Sequence, residues 1–276
     1  MRLNPVKLDF VVPPLASDDA SVSEVLRVLE DIFPGVDVSW CVEPVEEREP
    51  ATNRSAQEEP QYQQVRVVDR DGWVTERLRS GTSLQLFSAP GKYSLNVSAN
   101  PGLRATAADG REMEVVTVWL SRFEVLSDGR LERLVARCGD ALRAWHMGFM
   151  PVATTSTLLP VLFSADVPLP SFMNPRVRFP ALNALPRLGN RPDLLPGPQT
   201  PLQLGWLNYW SLETARWLGF PNATRDGEWL GRSTCTDSGA WVVTLTDTPL
   251  ELERHEHVDT LVRAYTRFDQ VGVRGT

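Results

Sequence analysis

Hydrophobic positions recur along the chain with two periods, and each period predicts elements. Leu8, Phe10 and Val12 share one side of an opening strand that stops at Pro13-Pro14. Val22, Val25, Leu26, Leu29 and Phe33 then recur at three- and four-residue steps. This is the stripe of an amphipathic helix, capped by Ser17 or Asp18 and stopped by Pro34-Gly35. Val36, Val38 and Trp40 read as a short strand. Val65–Val68 and Trp73–Leu78 flank Asp69-Arg70-Asp71-Gly72, a pattern that predicts a hairpin with a glycine turn. Leu84 and Leu86, then Tyr93, Leu95 and Val97, predict a second hairpin around Ala89-Pro90-Gly91. Met113 to Val125 reads as a longer strand. Val115, Thr117 and Trp119 lie on one face, and Val116, Val118 and Leu120 on the other. Apolar residues on both faces predict a central strand covered from both sides.

From Arg130 to Trp145 the period returns to that of a helix, with Leu131, Leu134, Val135, Cys138, Leu142 and Trp145 in one stripe. His146 to Gln203 holds eleven of the 22 prolines, yet Leu158, Leu159, Val161, Leu162 and Phe163 lie among them. Proline resists regular structure and apolar residues resist disorder, so the segment predicts a long ordered meander packed over the body. Leu204 to Leu252 carries five of the nine tryptophans, Trp206, Trp210, Trp217, Trp229 and Trp241; the block reads first as the nucleus of a core, the alternative being that one or two rings are exposed and anchor a partner. Here Ser211 caps a short helix in which Ala215, Trp217 and Leu218 turn inward, and Gly219 and Pro221 end it. Trp241, Val243 and Leu245 then alternate as a strand. Thr246 to Pro249 turns, and a closing helix from about Glu256 to Phe268 buries Val258, Leu261, Val262, Tyr265 and Phe268. The expected fold is a single α+β domain over 1–276, with a possible sub-division near 146–203. It is a mostly antiparallel sheet packed with about four helices, plus the proline-rich meander.

Composition narrows the function classes. A net charge of -7 and a pI near 5.1 argue against direct nucleic-acid binding, which needs a basic footprint. They permit a basic protein partner, and solubility alone would account for them equally. Between Glu43 and Gln61 the sequence turns polar, with Glu43, Glu46, Glu47, Glu49, Glu58 and Glu59 and few apolar residues; it reads as a solvated loop or as an acidic arm that meets a basic partner. Three widely spaced cysteines give no disulfide framework and no zinc pattern, which fits a reducing cytoplasm. The N-terminus lacks the apolar core of a signal peptide, and no apolar run is long enough to span a bilayer. Catalytic signatures are lacking: there is no phosphate loop, nucleophile elbow or zinc-protease motif. His255 and His257 are two apart and would face different sides of a helix, a poor metal pair, and His146 reads as decoration of a helix end. No cofactor and no metal are expected, and a site assembled from scattered residues is the form any enzyme here would take.

Two stretches carry a family resemblance. Gly205-Trp206-Leu207-Asn208-Tyr209-Trp210-Ser211, and Trp241-Val242-Val243-Thr244-Leu245-Thr246-Asp247-Thr248-Pro249-Leu250, resemble immunity protein family 52. The ending is similar too, at His257-Val258, Leu261, Ala264-Tyr265, Arg267-Phe268 and Gly272. Members of that family are bacterial proteins encoded beside polymorphic toxins. The resemblance implies a non-enzymatic inhibitor that binds and neutralises a cognate toxin, nuclease-type in related systems, inside the producing cell. The toxin-contact candidates are the acidic arm, Glu43, Glu46, Glu47, Glu49, Glu58 and Glu59, with Trp206 and Trp210 as aromatic anchors. A structural or scaffolding binder of a secretion or phage-like apparatus is the alternative.

Overall fold

The computed structural model describes residues 5–16, 18–44, 62–89, 94–121, 129–163, 174–189 and 191–274. The opening strand β1 (Val6–Val12) pairs along its whole length with β7 (Glu112–Leu120), and on its other side with β8 (His146–Phe149). From β8 the sheet continues through β10 (Leu207–Trp210) and β12 (Trp241–Thr244) to the short edge strand β11 (Thr234–Cys235). From β7 it continues through β5 (Leu95–Ala99), β4 (Leu84–Phe87) and β2 (Trp40–Pro44) to the other edge, β3 (Tyr62–Arg66). The two-residue β6 (Ala105–Thr106) adds to β7, completing an eleven-stranded sheet, and the described ladders are antiparallel. A separate two-stranded pair joins β9 (Leu188–Gly189) to β13 (Val273–Arg274).

Cross-strand partners share a face, so the register sorts the sheet into two sides. The first side carries Leu8, Phe10, Leu86, Val97, Val116 and Val118, all fully buried. The helices α1 (Ser21–Ile32) and α3 (Arg130–Ala141) pack on each other and share one core with these strands. Their stripes are the predicted ones, Val22, Val25, Leu26 and Leu29 on α1, and Leu131, Leu134, Val135 and Cys138 on α3. The start of α1 is held by Asp19, whose carboxylate accepts the Ser21 amide at 2.8 Å; Asp18 does not serve and Ser17 lies outside the described residues.

Four expectations change. The predicted second strand at Trp73–Leu78 is a helix, α2 (Arg70–Arg79). The Asp69 carboxylate accepts the Gly72 amide at 3.0 Å and so acts as an N-cap, where the sequence suggested a turn. Ion pairs from Arg27 to Asp71 and from Arg70 to Glu30 fasten α2 to α1. α3 stops at Ala141, before Trp145: Arg143 takes a positive φ of 51° and the Trp145 amide donates to the Val11 carbonyl, which starts β8. The proline-rich stretch contains α4 (Val152–Phe163), with Pro160 inside it, and the single-turn α5 (Pro175–Arg178). The Arg176 guanidinium donates to the carbonyls of Val161 and Leu182 and ties these pieces together. Finally, β7 is central but its second face is less buried than its first: Val115 is 44 % exposed, and Thr117 and Trp119 are partly exposed.

The tryptophan-rich block supplies the cover for part of the second side. α6 (Leu212–Leu218) is capped as predicted, with the Ser211 hydroxyl accepting the Thr214 amide at 3.1 Å. It ends at Gly219 in the left-handed region, φ 62°. Ala215 and Leu218 are buried, whereas Trp217 turns outward. The short α7 (Gly227–Leu230) and the closing helix α8 (His255–Arg267) complete the layer. Among the described residues no helix is long and apolar enough to cross a membrane.

Candidate functional site

β2 and β3 pair over five positions, from Trp40↔Arg66 to Pro44↔Tyr62, and β3 is the outermost strand. The acidic arm is the connection of this hairpin. Glu43 lies on β2, partly exposed, with its carboxylate 3.7 Å from the Cys41 thiol. Burial pushes that thiol up, and the Glu43 charge adds to the rise. Glu46, Glu47, Glu49, Glu58 and Glu59 lie outside the described residues. The arm starts and ends on a hydrogen-bonded pair at the sheet edge.

The two aromatic anchors are placed differently from the expectation. Trp206 is buried, donates its indole N–H to the Thr246 carbonyl at 2.8 Å, and meets Phe149 edge-on at 6.1 Å. Trp210 is fully buried, with T-shaped contacts to Phe220 at 5.3 Å and Phe268 at 5.0 Å. Both rings are buried among core residues, so neither is open to a partner. The resemblance motif at 205–211 is therefore a core segment. Asn208 within it is also buried: its amide oxygen accepts the Gly205 amide at 2.7 Å, and its nitrogen donates to the Gly205 and Val243 carbonyls.

Outside this cover, the register assembles a row that the sequence did not announce. Arg66, Trp40, Phe87, Asn96, Trp119 and Lys7 are successive cross-strand partners from β3 to β1, all on the second side. The three aromatic rings are partly exposed and stand outside the main core cluster. The neighbouring row is polar, with Gln85, Ser98, Thr117 and Asp9 in register. The Thr117 hydroxyl donates to Asp9 at 2.6 Å, and the Lys7 ammonium meets the same carboxylate at 2.8 Å. The residue types were visible in the sequence. Trp119 was hidden by the reading of the 113–125 strand as covered from both sides, and Trp40 and Phe87 by their distance from it in sequence.

Beyond Lys7 the open side deepens into a groove of about 500 Å³. Lys7, Asp9, Val115 and Thr117 line its floor; Leu159 and Phe163 of α4, with Leu202 and Gln203, form the far wall. His146 lies at the inner end, on the register row Val115, Val11, His146, Trp210, where the open and covered parts of this side meet. Its imidazole is buried, and among the described residues Nε2 has no hydrogen-bond partner. Burial pushes the imidazole down to about 4, against a smaller opposing effect of a hydrogen bond with the Pro198 backbone, so the ring is neutral at pH 7. The sequence reading of His146 as decoration of a helix end is corrected accordingly, since the residue starts β8.

Other polar clusters close on the fold itself. One oxygen of Asp140 accepts hydroxyls from Tyr209 at 2.8 Å, Thr236 at 3.2 Å and Ser238 at 2.7 Å, which locks α3 to β10 and the turn before β12. Burial and the Asp140 charge raise the Tyr209 phenol. Fully buried Asp226 pairs with Arg267 at 2.7 Å, and Arg267 also donates to the Leu218 and Gly219 carbonyls, joining α6, α7 and α8. His257 is buried with Nδ1 accepting the Glu251 amide at 3.0 Å. Among the described residues no group of three His, Cys, Asp or Glu side chains converges in a way that would hold a metal ion.

The chain belongs to the family described as Domain of unknown function (DUF5953), which matches residues 17–276. No curated protein matches it. Among solved structures it is similar to the Pseudomonas aeruginosa T6SS protein PA0821, at 11% identity and a TM-score of 0.53, over 99% of this chain and 77% of that one. At that identity the likeness is one of fold.

Proposed function

We propose that this DUF5953 chain is a non-enzymatic immunity protein, which binds a cognate bacterial toxin in the cytoplasm of the producing cell and neutralises it. The observation that carries the reading is the β2–β3 hairpin at the rim of the sheet. Its connection, 45–61, holds five glutamates against two arginines, and both ends are pinned by the last pair of the ladder. A nuclease-type toxin presents a basic surface for phosphates. An acidic arm beside a rigid sheet speeds encounter with such a surface, and the complex then lasts as long as its apolar contacts hold. The chain's net charge of -7 adds to the same steering. The resemblance to immunity protein family 52 supports the reading, and so does sharing a fold with a protein named for the T6SS.

That neighbour's name also favours a second reading, a scaffolding component of a secretion apparatus. Co-expression separates the two. The toxin encoded beside this gene is expressed with and without the chain, growth is scored, and the pair is co-purified. Rescue with a stable complex is expected. Folded proteins with neither rescue nor complex would favour the scaffold, and rescue without a complex would point to enzymatic detoxification. Charge reversal at Glu46, Glu47, Glu58 and Glu59 is expected to slow association and flatten its salt dependence, since steering falls away with the charges.

A further inference from the structure

We propose that the groove over β1, β7 and β8 binds an uncharged, largely apolar small molecule that carries a hydroxyl, with the hydroxyl donating to Nε2 of His146. The inference stands apart from the immunity reading, since it concerns a small ligand and no toxin. The groove's volume of about 500 Å³ lies in the usual range of small-molecule sites. Its apolar walls face water: Val115 on β7 is 44 % exposed and Leu159 on α4 is 38 % exposed, and Phe163 and Leu202, which line the same groove, are partly exposed. Such walls favour an apolar body in proportion to the area that it and they remove from water.

The polar groups select the rest of the ligand. The register Val115, Val11, His146 puts the imidazole on the groove side of the sheet, at the inner end. The residue is 5 % exposed, and among the described residues its Nε2 has no partner. The ring's hydrogen bond is with the Pro198 backbone. Proline offers a carbonyl and no N–H, so Nδ1 donates and carries the proton. Nε2 of this neutral ring is therefore a lone pair in want of a donor, and a buried acceptor left unmatched is costly. A ligand hydroxyl supplies that donor. On the floor, Lys7 and Asp9 meet at 2.8 Å, and Thr117 donates to the same carboxylate at 2.6 Å. The Lys7–Asp9 pair is neutral as a whole. An anion would lie beside Asp9 and a cation beside Lys7, so neither recovers what it loses on leaving water, and an uncharged molecule is favoured.

The test uses the full chain, with para-propylphenol as probe and its methyl ether, para-propylanisole, as the partner that lacks the donor. Calorimetric titration should show the phenol bound about 10-fold more tightly than the ether, the effect of one hydrogen bond to a buried acceptor. The anion para-propylbenzoate should bind more weakly than the phenol. With histidine nitrogens isotopically labelled, the Nε2 resonance of His146 should move with the phenol and stay in place with the ether. His146→Phe should erase the phenol's advantage. Leu159→Arg changes an exposed wall position that folding does not depend on, and it should weaken phenol and ether alike by about 10-fold. Equal affinity for phenol and ether, with the Nε2 resonance unmoved, would mean that solvent satisfies His146 and would overturn the proposal. Phenol binding that Leu159→Arg leaves unchanged would place the probe elsewhere and overturn it too, as would no binding of the phenol at millimolar concentration. None of these results bears on toxin binding, so the immunity reading fails or stands separately.

Discussion

On the second side of the sheet, Trp210 and Trp241 lie beneath a cover in which Phe220 meets both rings edge-on, at 5.3 and 5.2 Å, and Phe268 meets Trp210 at 5.0 Å. On the same side, several strands away, Trp40, Phe87 and Trp119 stand in register, and among the described residues no helix packs over them in the main core cluster. The residue types are alike and the sheet is continuous. The difference lies in the chain that follows. After β10 and β12 the chain turns into α6 and α8, whose apolar faces need burial, and these settle on the nearest aromatic strands. After β4, β5 and β7 the nearby helices, α1 and α3, have gone to the first side. Aromatic content therefore does not set how deeply a ring is buried; the elements that pack on it do.

Substitutions at matched positions break that comparison most directly. Trp210→Ala should cost about 4 kcal/mol in chemical denaturation, since it opens a large cavity in a filled cluster. Trp119→Ala should cost less, about 2 kcal/mol, because its ring is only partly buried and leaves no sealed cavity. Equal losses at the two sites would mean that the open side is core. At the boundary, His146 gives the comparison a pH signature. Its imidazole is depressed to about 4 in the fold, against 6.5 ordinarily. The unfolded chain thus takes up the proton first as pH falls. The stabilisation is complete above about pH 6.5 and is lost progressively toward pH 4, by up to about 3 kcal/mol. Denaturation midpoints across that window should fall in the wild type and fall less in His146→Asn.

The cover itself can be loosened from a distance. Arg267→Ala leaves Asp226 buried and unpaired and frees the Leu218 and Gly219 carbonyls, so it should cost about 3 kcal/mol and unfold α6 and α8 together. Hydrogen exchange would report the loss in those helices and little change in β4, β5 and β7. On the first side, Gly139→Ala should cost about 2 kcal/mol. A Cβ there would collide with the Tyr209 ring, so α3 would have to lift from β10. The smallest effect is Ser211→Ala, about 1 kcal/mol for the lost α6 cap, read from the thermal midpoint.

Much of the covered half was legible in the sequence. The stripes of α1, α3 and α8, the β4–β5 pairing, the Ser211 cap and the Gly219 stop all rest on interactions between near neighbours, which periodicity and capping rules report. The α+β class follows from the same signals. Asp69 shows where local reading divides, since Asp followed by glycine three residues on suits a turn and an N-cap alike. The dense Trp206–Trp241 block reads as core from its sequence, and Trp206, Trp210 and Trp229 are indeed buried, whereas Trp217 is exposed. Trp40, Phe87 and Trp119 are scattered in sequence and become one row only through the pairing of β2, β4, β5 and β7. A strand's alternation says which residues share a side, and it cannot say whether a helix will come to rest on that side.

Hydroxyl-radical footprinting of the free chain, and of its complex with the gene-adjacent toxin, tests whether the β2–β3 hairpin that carries the acidic arm or the tryptophan-rich block meets the partner. Partly exposed Trp40 on β2 is expected to lose reactivity in the complex, while buried Trp210 stays unmodified in both. Reactivity of Trp40 that is unchanged in the complex, or protection that maps instead to exposed Trp217 on α6, would contradict the hairpin as the contact.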